Sequence, residues 1–177
     1  AGKKILVNAG PTHEKIDPVR FIGNYSSGKM GKAIANTLSE RGANVNLVLG
    51  PVDTQGLSPK VNVTSVISAQ EMYDACNSIY PSCDAGILAA AVADFTPNEY
   101  SNEKLKKGND NDFVLSMSRT KDVLASLGKS KLDHQVLIGF ALETQDELNY
   151  AQKKMDNKNL DFIVLNSMND KGAGFAK

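Results

Sequence analysis

Short apolar runs alternate along the chain with longer segments of helical periodicity. The run at residues 4–9 ends in Gly10-Pro11, as expected of a buried strand that closes into a loop. Apolar positions at helical spacing then predict a helix over 27–41, which Gly42 terminates. Ser68, followed three residues later by Glu71, predicts a capped helix start. Further strands are predicted at 45–49, 61–67, 85–92, 113–117, 136–140 and 162–165, and further helices at 68–80, 121–127 and 144–157.

The order of these elements predicts the fold class. Strands that alternate with helices form a mostly parallel sheet, so we expect one α/β domain over 1–177, Rossmann-like and doubly wound with helices on both faces. The run at 85–92 is the most apolar and is the candidate central strand. Ligands of such sheets bind beyond the carboxyl ends of the strands, near the point where the strand order reverses. Those ends carry Gly10-Pro11-Thr12, Gly50-Pro51, Ala93-Asp94, Phe140-Ala141 and Asn166-Ser167.

Composition narrows the function classes. Hydrophobic residues are 41% and charged residues 23% of the 177 residues, which excludes a disordered or fibrous protein. Twenty Lys and Arg balance twenty Asp and Glu, so no global positive field exists to hold a nucleic acid, and phosphate recognition must be local. No apolar run approaches the roughly 18–20 residues of a membrane helix. The start of the chain does not resemble a signal peptide, so we expect a cytoplasmic protein without a membrane partner.

The cysteines and histidines indicate no chemistry of their own. Cys76 and Cys83 lack CxxC spacing and are expected to be reduced structural thiols. His13 and His134 lack the further converging ligands of a zinc site, so we expect them in loops or at the surface. Neither a Ser-His-Asp nor a Cys-His arrangement can be assembled from the order of the sequence.

Two glycine arrangements bear on nucleotide binding. A dinucleotide fingerprint would place G-x-G-x-x-G directly after the first strand, and residues 10–14 do not match it, which disfavours a nicotinamide dehydrogenase. Residues 23–29 match the glycine and lysine spacing of a P-loop, but Met30 stands where a magnesium-binding Ser or Thr belongs. Small residues before a helix still leave N–H groups open to an anion, whereas the plainer alternative is a serine that caps the helix. The candidate anion-binding residues are Gly10, Ser26, Ser27 and Gly28.

Lysines form two further candidate groups. Three of the four residues at 104–107 are lysines, which suits a loop that closes over phosphates, although such a run is usually a solvated surface. Lys154 and Lys158 are four residues apart and share a helix face, where lysines near a helix end commonly complement the dipole. Each signal is weak alone.

Together the segments resemble a known family over essentially the whole chain. The sequence is similar to the synthetase part of bacterial bifunctional coenzyme A biosynthesis proteins, which is phosphopantothenate–cysteine ligase, also called phosphopantothenoylcysteine synthetase. The segment at 17–31 is long enough to be specific. The other matching segments are 10–12, 89–94, 103–107, 139–144 and 158–161.

The resemblance implies a ligase that uses CTP, Mg²⁺ held through the nucleotide phosphates, phosphopantothenate and cysteine. In the family, the phosphopantothenate carboxylate attacks the α-phosphate of CTP, pyrophosphate leaves, and the cysteine amine displaces CMP from the acyl-cytidylate. By analogy Asn24 serves the second half-reaction, and Lys104 closes a flexible loop over the phosphates. The resemblance places CTP at Leu88, Ala89, Ala90, Asp94, Lys104, Lys121, Asp122, Val123, Leu124, Phe140, Lys154 and Lys158.

The sequence also departs from the family. A segment of Asn-Pro-Asp-Ile type reads Thr120-Lys121-Asp122-Val123 here, and Asn8 stands where a hydroxyl residue is common. The family's flavin-dependent decarboxylase domain would precede Ala1, and a further strand and helix would follow Lys177. We therefore expect a truncated tail, no flavin in this chain, and a homodimer that is weaker if the tail contributes to it. Two alternatives stay open: a nicotinamide-dependent reductase on the same fold, and a nucleotide-binding core without activity.

Overall fold

A computed structural model of the chain describes residues 1–106, 113–143 and 147–167. The described part contains strands and helices in alternation, with two short hairpins between them. In chain order these elements are β1 (Lys4–Ala9), β2 (His13–Lys15), β3 (Phe21–Gly23), α1 (Lys29–Glu40), β4 (Asn44–Leu49), β5 (Asn62–Ser65), α2 (Ala69–Ile79), β6 (Ala85–Leu88), β7 (Phe95–Pro97), β8 (Met117–Arg119), α3 (Val123–Ser130), β9 (Val136–Glu143), α4 (Glu147–Asn157) and β10 (Phe162–Ser167).

One parallel sheet organises the fold. Its strand order is β10-β9-β6-β1-β4-β5, and every neighbouring pair is parallel. Counted along the chain from the β5 edge, this is the order 3-2-1-4-5-6 of the doubly wound dinucleotide-binding folds. The strand order reverses between β1 and β6, which are the two middle strands. The predicted fold class and the predicted central position of the apolar run that begins at 85 are both confirmed.

Both faces of the sheet are covered near its centre. In β1, Val7 packs in an apolar cluster with Ala35 of α1, whereas its neighbour Leu6 packs on the opposite face with Met72 of α2 and Leu127 of α3. Consecutive strand residues point to opposite faces, so a strand buried on both sides requires an unbroken apolar run. The apolar run at 4–9 is therefore the pattern expected of a central strand.

The start of α2 follows its predicted chemistry. The Ser68 hydroxyl accepts a hydrogen bond from the Glu71 N–H at 3.2 Å, and the Glu71 carboxylate accepts from the Ser68 N–H at 3.4 Å. The buried carboxylate of Glu14 accepts from the Ala69 N–H at 2.8 Å. Two negative side chains thus meet the N-terminal N–H groups of one helix, where the helix dipole stabilises them.

Two predicted strands differ from the structure. Residues 113–116 form no strand; β8 begins at Met117 and pairs antiparallel with β7, outside the main sheet. Phe113 and Val114 are 61% and 89% exposed, so their apolar side chains do not mark a buried strand. The strand predicted at 85–92 ends at Leu88, and beyond it Ala91 makes only an isolated parallel bridge with Pro11, in the loop after β1. Residues 144–146 of the predicted fourth helix lie outside the described part.

The cysteines and histidines behave as structural residues. Cys76 and Cys83 are free and buried, and burial raises the pKa of the Cys76 thiol to about 12. The His13 ring stacks on Phe21 with centroids 3.7 Å apart, and His134 is exposed. Among the described residues, no three His, Cys, Asp or Glu side chains converge as metal ligands. No helix in that same part of the chain has the length and apolarity needed to cross a membrane.

Replacing Tyr80 with phenylalanine is expected to stabilise the protein by about 1 kcal/mol. Tyr80 is fully buried, and its hydroxyl has no hydrogen-bond partner within the described ranges. Burial raises the pKa of this hydroxyl to about 12, so it stays neutral and only its desolvation costs stability. Urea denaturation of Tyr80→Phe measures the change.

Tyr73→Phe is the matched control for that experiment. The Tyr73 hydroxyl is hydrogen-bonded to the Ser126 hydroxyl at 3.0 Å, so its removal is expected to lower the free energy of unfolding. Equal destabilisation by Tyr73→Phe and Tyr80→Phe would mean that the Tyr80 hydroxyl is satisfied.

Candidate functional site

A cleft of about 500 Å³ opens at the carboxyl ends of β1, β6 and β9, beside the reversal of strand order. Its position is the one expected for ligands of this fold, and its volume lies in the range of small-molecule sites. The lining residues are Asn8, Leu88, Ala90, Val92, Ala93, Asp94, Phe95, Arg119, Thr120, Lys121, Asp122, Val123, Leu124, Phe140, Lys154 and Lys158.

The loop after β6, residues 89–94, forms one wall of the cleft and is held from the side of β1. The Asn8 side-chain oxygen accepts a hydrogen bond from the Ala90 N–H at 2.9 Å. Thr12, which is fully buried, accepts from the Ala93 N–H at 3.0 Å. These two side chains satisfy the backbone N–H groups of a loop that has left the sheet. At a position where the sequence departs from the family it resembles, Asn8 therefore supports the wall of the cleft.

The same loop is held from its other side by Thr120 and Asn24. The Thr120 hydroxyl donates to the Ala93 carbonyl at 2.6 Å, and the Thr120 N–H donates to the Asp94 carbonyl at 2.9 Å. The Asn24 side-chain amide donates to the Val92 carbonyl at 3.0 Å. The wall is thus fixed by side chains and backbone from three separate segments before any ligand binds, as electrostatic preorganisation requires.

Four cationic side chains line the cleft in the described part of the chain. Lys158 forms a salt bridge with Asp122 at 2.7 Å, and the Lys154 ammonium donates to the Phe140 carbonyl at 2.8 Å. Lys121 lies over the Tyr73 ring at 5.0 Å. The fourth cation, Arg119, lies over the Phe95 ring at 5.7 Å from its centroid. With Asp94 and Asp122 as the carboxylates of the lining, the cleft carries an excess of positive charge.

The pKa of the Asp122 carboxyl reflects this excess of positive charge in the cleft. Burial raises the pKa of its carboxyl, but the hydrogen bonds from Lys158 and from the Ala125 N–H, together with the charges of Lys158 and Lys154, outweigh burial and hold the pKa below its ordinary value. Asp122 is also the N-cap of α3, accepting from the Ala125 N–H at 2.9 Å. One carboxylate therefore both starts α3 and holds Lys158 at the cleft.

A close contact between α3 and the turn after α4 fixes the position of Lys158. A Cβ on Gly128 would lie 1.9 Å from the Lys158 carbonyl oxygen, so α3 can approach this turn only at a glycine. Asn159 adopts a left-handed conformation with φ of 51°, and its side-chain amide donates to the Gly128 carbonyl at 3.0 Å. The lysine is thus placed by backbone packing rather than by its own side chain.

Most of the predicted nucleotide residues come together at the cleft, and three of the predicted catalytic and nucleotide-binding residues do not line it. Ala89 lies within the loop wall without lining the cleft. Asn24 reaches the wall only through Val92, and Lys104 is exposed and outside the lining. The predicted residues that do line it are Leu88, Ala90, Asp94, Lys121, Asp122, Val123, Leu124, Phe140, Lys154 and Lys158.

The four candidate anion-binding residues cluster at the start of α1 rather than in the cleft. Gly28, with φ of 69°, is the N-cap, so neither Ser26 nor Ser27 caps the helix. Instead the Ser26 hydroxyl accepts from the Gly28 N–H at 3.3 Å and the Ser27 hydroxyl from the Lys29 N–H at 3.5 Å. Gly10 also has a positive φ, of 82°, so the backbone conformation favours glycine at both positions. Anion binding here stays a prediction.

Sequence reasoning missed several lining residues. A polar residue within an apolar strand was the available signal for Asn8. Arg119 ends β8 and Thr120 follows it, and the predicted strand starts four residues and ends two residues before the observed one. The complete set of lining residues not predicted is Asn8, Val92, Ala93, Phe95, Arg119 and Thr120.

The chain is similar in sequence to known proteins. The chain is 53% identical over 98% of its length to a cysteine/cysteine sulfinic acid decarboxylase of an unknown prokaryotic organism, and covers 48% of it. It is 47% identical, again over 98%, to the coenzyme A biosynthesis bifunctional protein CoaBC of Bacillus subtilis (strain 168), and covers 42% of it. The chain thus spans less than half the length of these two relatives.

A solved structure and a family model extend the likeness. The crystal structure of the C-terminal domain of CoaBC has a TM-score of 0.81 and 45% identity to this chain, over 93% of this chain and 77% of that one. All of residues 1–177 match the family DFP, described as the DNA/pantothenate metabolism flavoprotein C-terminal domain. The resemblance inferred from the sequence is therefore confirmed, and the chain belongs to this family of DNA/pantothenate metabolism flavoprotein C-terminal domains.

Proposed function

We propose that this chain is a cytoplasmic ligase of coenzyme A biosynthesis that joins phosphopantothenate to cysteine, using CTP. The observation that carries the proposal is the cluster of four cations at the switch-point cleft of a family member. A nucleoside triphosphate and phosphopantothenate are both anionic, so their reaction needs several positively charged side chains close together. The cleft offers that charge next to an apolar half formed by Leu88, Val123, Leu124 and Phe140, which suits a nucleoside.

The proposed reaction has two displacements. The phosphopantothenate carboxylate attacks the α-phosphorus of CTP, the bond between the α- and β-phosphates breaks, and pyrophosphate leaves with the bond electrons. The cysteine amine then attacks the acyl carbon of the acyl-cytidylate, CMP leaves, and the amine proton passes to solvent. Lys154 and Lys158 would hold the phosphates in the first step. Asn24, anchored beside the wall through Val92, would orient the acyl group in the second.

A divalent cation fits this cleft as a partner of the phosphates. No three acidic, histidine or cysteine side chains converge among the described residues, so that part of the chain offers no cage of protein ligands. Mg²⁺ is commonly held by substrate phosphates plus one or two carboxylates. Asp122 is paired with Lys158, which leaves Asp94 as the lining carboxylate that would approach the ion. When bound, Mg²⁺ would neutralise charge on the triphosphate.

The decarboxylase named for one relative is a second candidate activity, and we assign it elsewhere. The chain covers 48% of that relative and 42% of the bifunctional CoaBC protein, so both contain long segments with no counterpart here. We propose that a flavin-dependent decarboxylase domain, fused in the full-length protein, occupies such a segment. A nicotinamide-dependent reductase is less well supported, since β1 is followed by Gly10-Pro11 and not by the dinucleotide fingerprint.

We also propose that the protein is a homodimer. Large apolar side chains are exposed around the hairpins β2–β3 and β7–β8, with Phe21 53%, Tyr25 85% and Phe95 45% accessible. The neighbouring Phe113 and Val114 are exposed as well. Clusters of exposed apolar groups of this size are typical of a protein interface. Sedimentation velocity at micromolar concentration tests the assembly, and a monomer would contradict it.

Calorimetric titration with CTP and Mg²⁺ tests nucleotide binding at the cleft. Lys158→Gln is expected to weaken CTP binding by about tenfold, because one charge-assisted contact to phosphate is lost. Lys131→Gln is the matched control: it removes another lysine that pairs with an aspartate, Asp161, at 2.9 Å. The control should bind CTP normally. Equal losses in both variants, or unchanged binding in Lys158→Gln, would contradict the assignment of the cleft.

A further inference from the structure

Residues 101–106, which include Lys104 and Lys106, are tied at two points to the turn that follows β2. The Ser101 N–H donates to the Ile16 carbonyl at 3.0 Å. Four residues on, Leu105 is held by both of its backbone groups: its N–H donates to the Asp17 carboxylate at 3.2 Å, and its carbonyl accepts from the Arg20 guanidinium at 2.7 Å. Residues 101–106 form no helix or strand, so these bonds define their path.

Asp17 is the centre of this arrangement. Its side chain is completely buried, and each oxygen has a separate task. Oδ1 accepts from the Val19 and Arg20 N–H groups, both at 2.9 Å, and so shapes the turn. Oδ2 accepts from the Arg20 guanidinium, through Nε at 2.8 Å and through Nη2, and from the Leu105 N–H. A buried charge with this many donors is fully satisfied and resists displacement.

We propose that the Asp17–Arg20 pair is a positioning device that fixes the backbone beside Lys104 and so sets where the Lys104 ammonium meets the substrate phosphates. The proposal rests on the proposed function and on the role that the resemblance gives to Lys104, which is to close over the nucleotide phosphates. Lys104 is the immediate neighbour of Leu105, and its own side chain is exposed. Because both backbone groups of Leu105 are hydrogen-bonded, the backbone of Lys104 has little conformational freedom. Less conformational entropy is therefore lost when the Lys104 side chain binds phosphate.

The Asp17 carboxylate stays ionised at neutral pH, so its hydrogen bond from Leu105 is kept there. Burial raises the pKa of its carboxyl, but the Arg20 guanidinium and the N–H groups of Val19, Leu105 and Arg20 outweigh it and lower the pKa to about 2. Because the folded-state pKa lies below the unfolded one, the ionised contact is lost only as the pH falls toward 2. Between pH 5 and 9 the grip on Leu105 should therefore not change.

Asp17→Asn should remove the contacts of Oδ2 with Leu105 and the Arg20 guanidinium while keeping the Oδ1 hydrogen bonds that shape the turn. An asparagine oxygen in the place of Oδ1 can still accept from Val19 and Arg20, whereas its NH₂ group cannot accept from the guanidinium or from Leu105. In the nucleotide-free protein, we expect tryptic cleavage after Lys104 and Lys106 to be about tenfold faster than in the wild type. Cleavage after Lys60, in a distant loop, should be unchanged.

Asp53→Asn is the matched control. Asp53 also accepts a backbone N–H through Oδ1, from Gln55 at 2.9 Å, and pairs with a cation, Lys32, at 3.1 Å, but it is exposed and far along the chain from Leu105. It should be cleaved like the wild type. If Asp17→Asn accelerates cleavage everywhere, Arg20→Lys replaces it, because it keeps the charge but loses the guanidinium fork. Unchanged cleavage after Lys104 in Arg20→Lys, or in a folded Asp17→Asn, would overturn the proposal.

A double-mutant cycle tests whether the grip acts through Lys104. Asp17→Asn should lower the rate of CTP-dependent pyrophosphate release about tenfold in the wild-type background and have no effect in a Lys104→Gln background. Additive losses would overturn the positioning role. The two failures are distinguishable: absence of pyrophosphate release in the wild type would refute the proposed function, whereas the proteolysis result depends only on the contacts of Leu105.

Discussion

Gly128→Ala is expected to lower the free energy of unfolding by about 2–4 kcal/mol and to weaken nucleotide binding in the same protein. The new Cβ would lie 1.9 Å from the Lys158 carbonyl oxygen, so α3 must separate from the turn that carries Lys158. Alanine favours a helix over glycine by about 1 kcal/mol, so the sign of the effect is set by the collision. Denaturant unfolding and a CTP titration measure the two consequences.

Lys129→Ala is the control for that substitution. Lys129 is the next residue of α3 and is exposed, so its removal should change stability by no more than about 0.5 kcal/mol and leave binding intact. A Gly128→Ala protein as stable as the wild type would show that the turn at 158–159 can move without cost. The close packing of α3 would then not be what places Lys158.

Lys104→Gln is expected to reduce turnover by about 100-fold without lowering the melting temperature. The side chain is exposed and outside the cleft, so its loss removes no packing from the fold. Its proposed contact with the phosphates forms only when substrate is bound, which is why the effect should appear in the rate. Steady-state kinetics and thermal melting of the same preparation separate the two.

Lys106→Gln provides the comparison for Lys104→Gln. Lys106 is exposed and lies two residues away in the same segment, but on the far side of the residue that Asp17 and Arg20 hold. It should lose less than about threefold in turnover, because an exposed charge is largely screened. Equal losses in both variants would indicate general attraction by the lysine run, and a normal Lys104→Gln enzyme would refute the assigned role.

The centre of the sheet could be predicted because strands such as β1 and β4 are buried on both faces. The run in β1 is apolar at consecutive positions, and the helices between strands show helical spacing, so pattern alone gives element type and order. The pair of Ser68 and Glu71 located the start of α2 for a local reason, since both bonds of a capping box lie within four residues.

The hairpins β2–β3 and β7–β8 could not be predicted in the same way. They stand outside the main sheet and carry exposed apolar residues such as Phe21 and Phe95, so hydrophobicity no longer reports burial there. The apolar pair at 113–114 was interpreted as a strand for this reason. Exposed apolar residues are common on protein surfaces, so an apolar pair alone does not predict a buried strand.

The candidate site likewise has a part that could be predicted from the sequence and a part that could not. Resemblance to the family gave residues such as Lys121 and Lys158 that line the cleft, but it could not show what holds them in place. Nor could it show what holds the loop wall beside them, which is fixed by long-range hydrogen bonds from the Ala90 N–H to Asn8 and from the Ala93 N–H to Thr12, between residues 82 and 81 positions apart. No local pattern encodes such pairs, because they depend on β1 and β6 lying side by side.

The most direct test of the ligase is pyrophosphate release by this chain, supplied with phosphopantothenate, Mg²⁺ and either CTP or ATP. We expect release with CTP that requires phosphopantothenate, and an amide product with CMP once cysteine is added. Release that does not depend on phosphopantothenate, or CTP binding without any release, would contradict a ligase function for this chain.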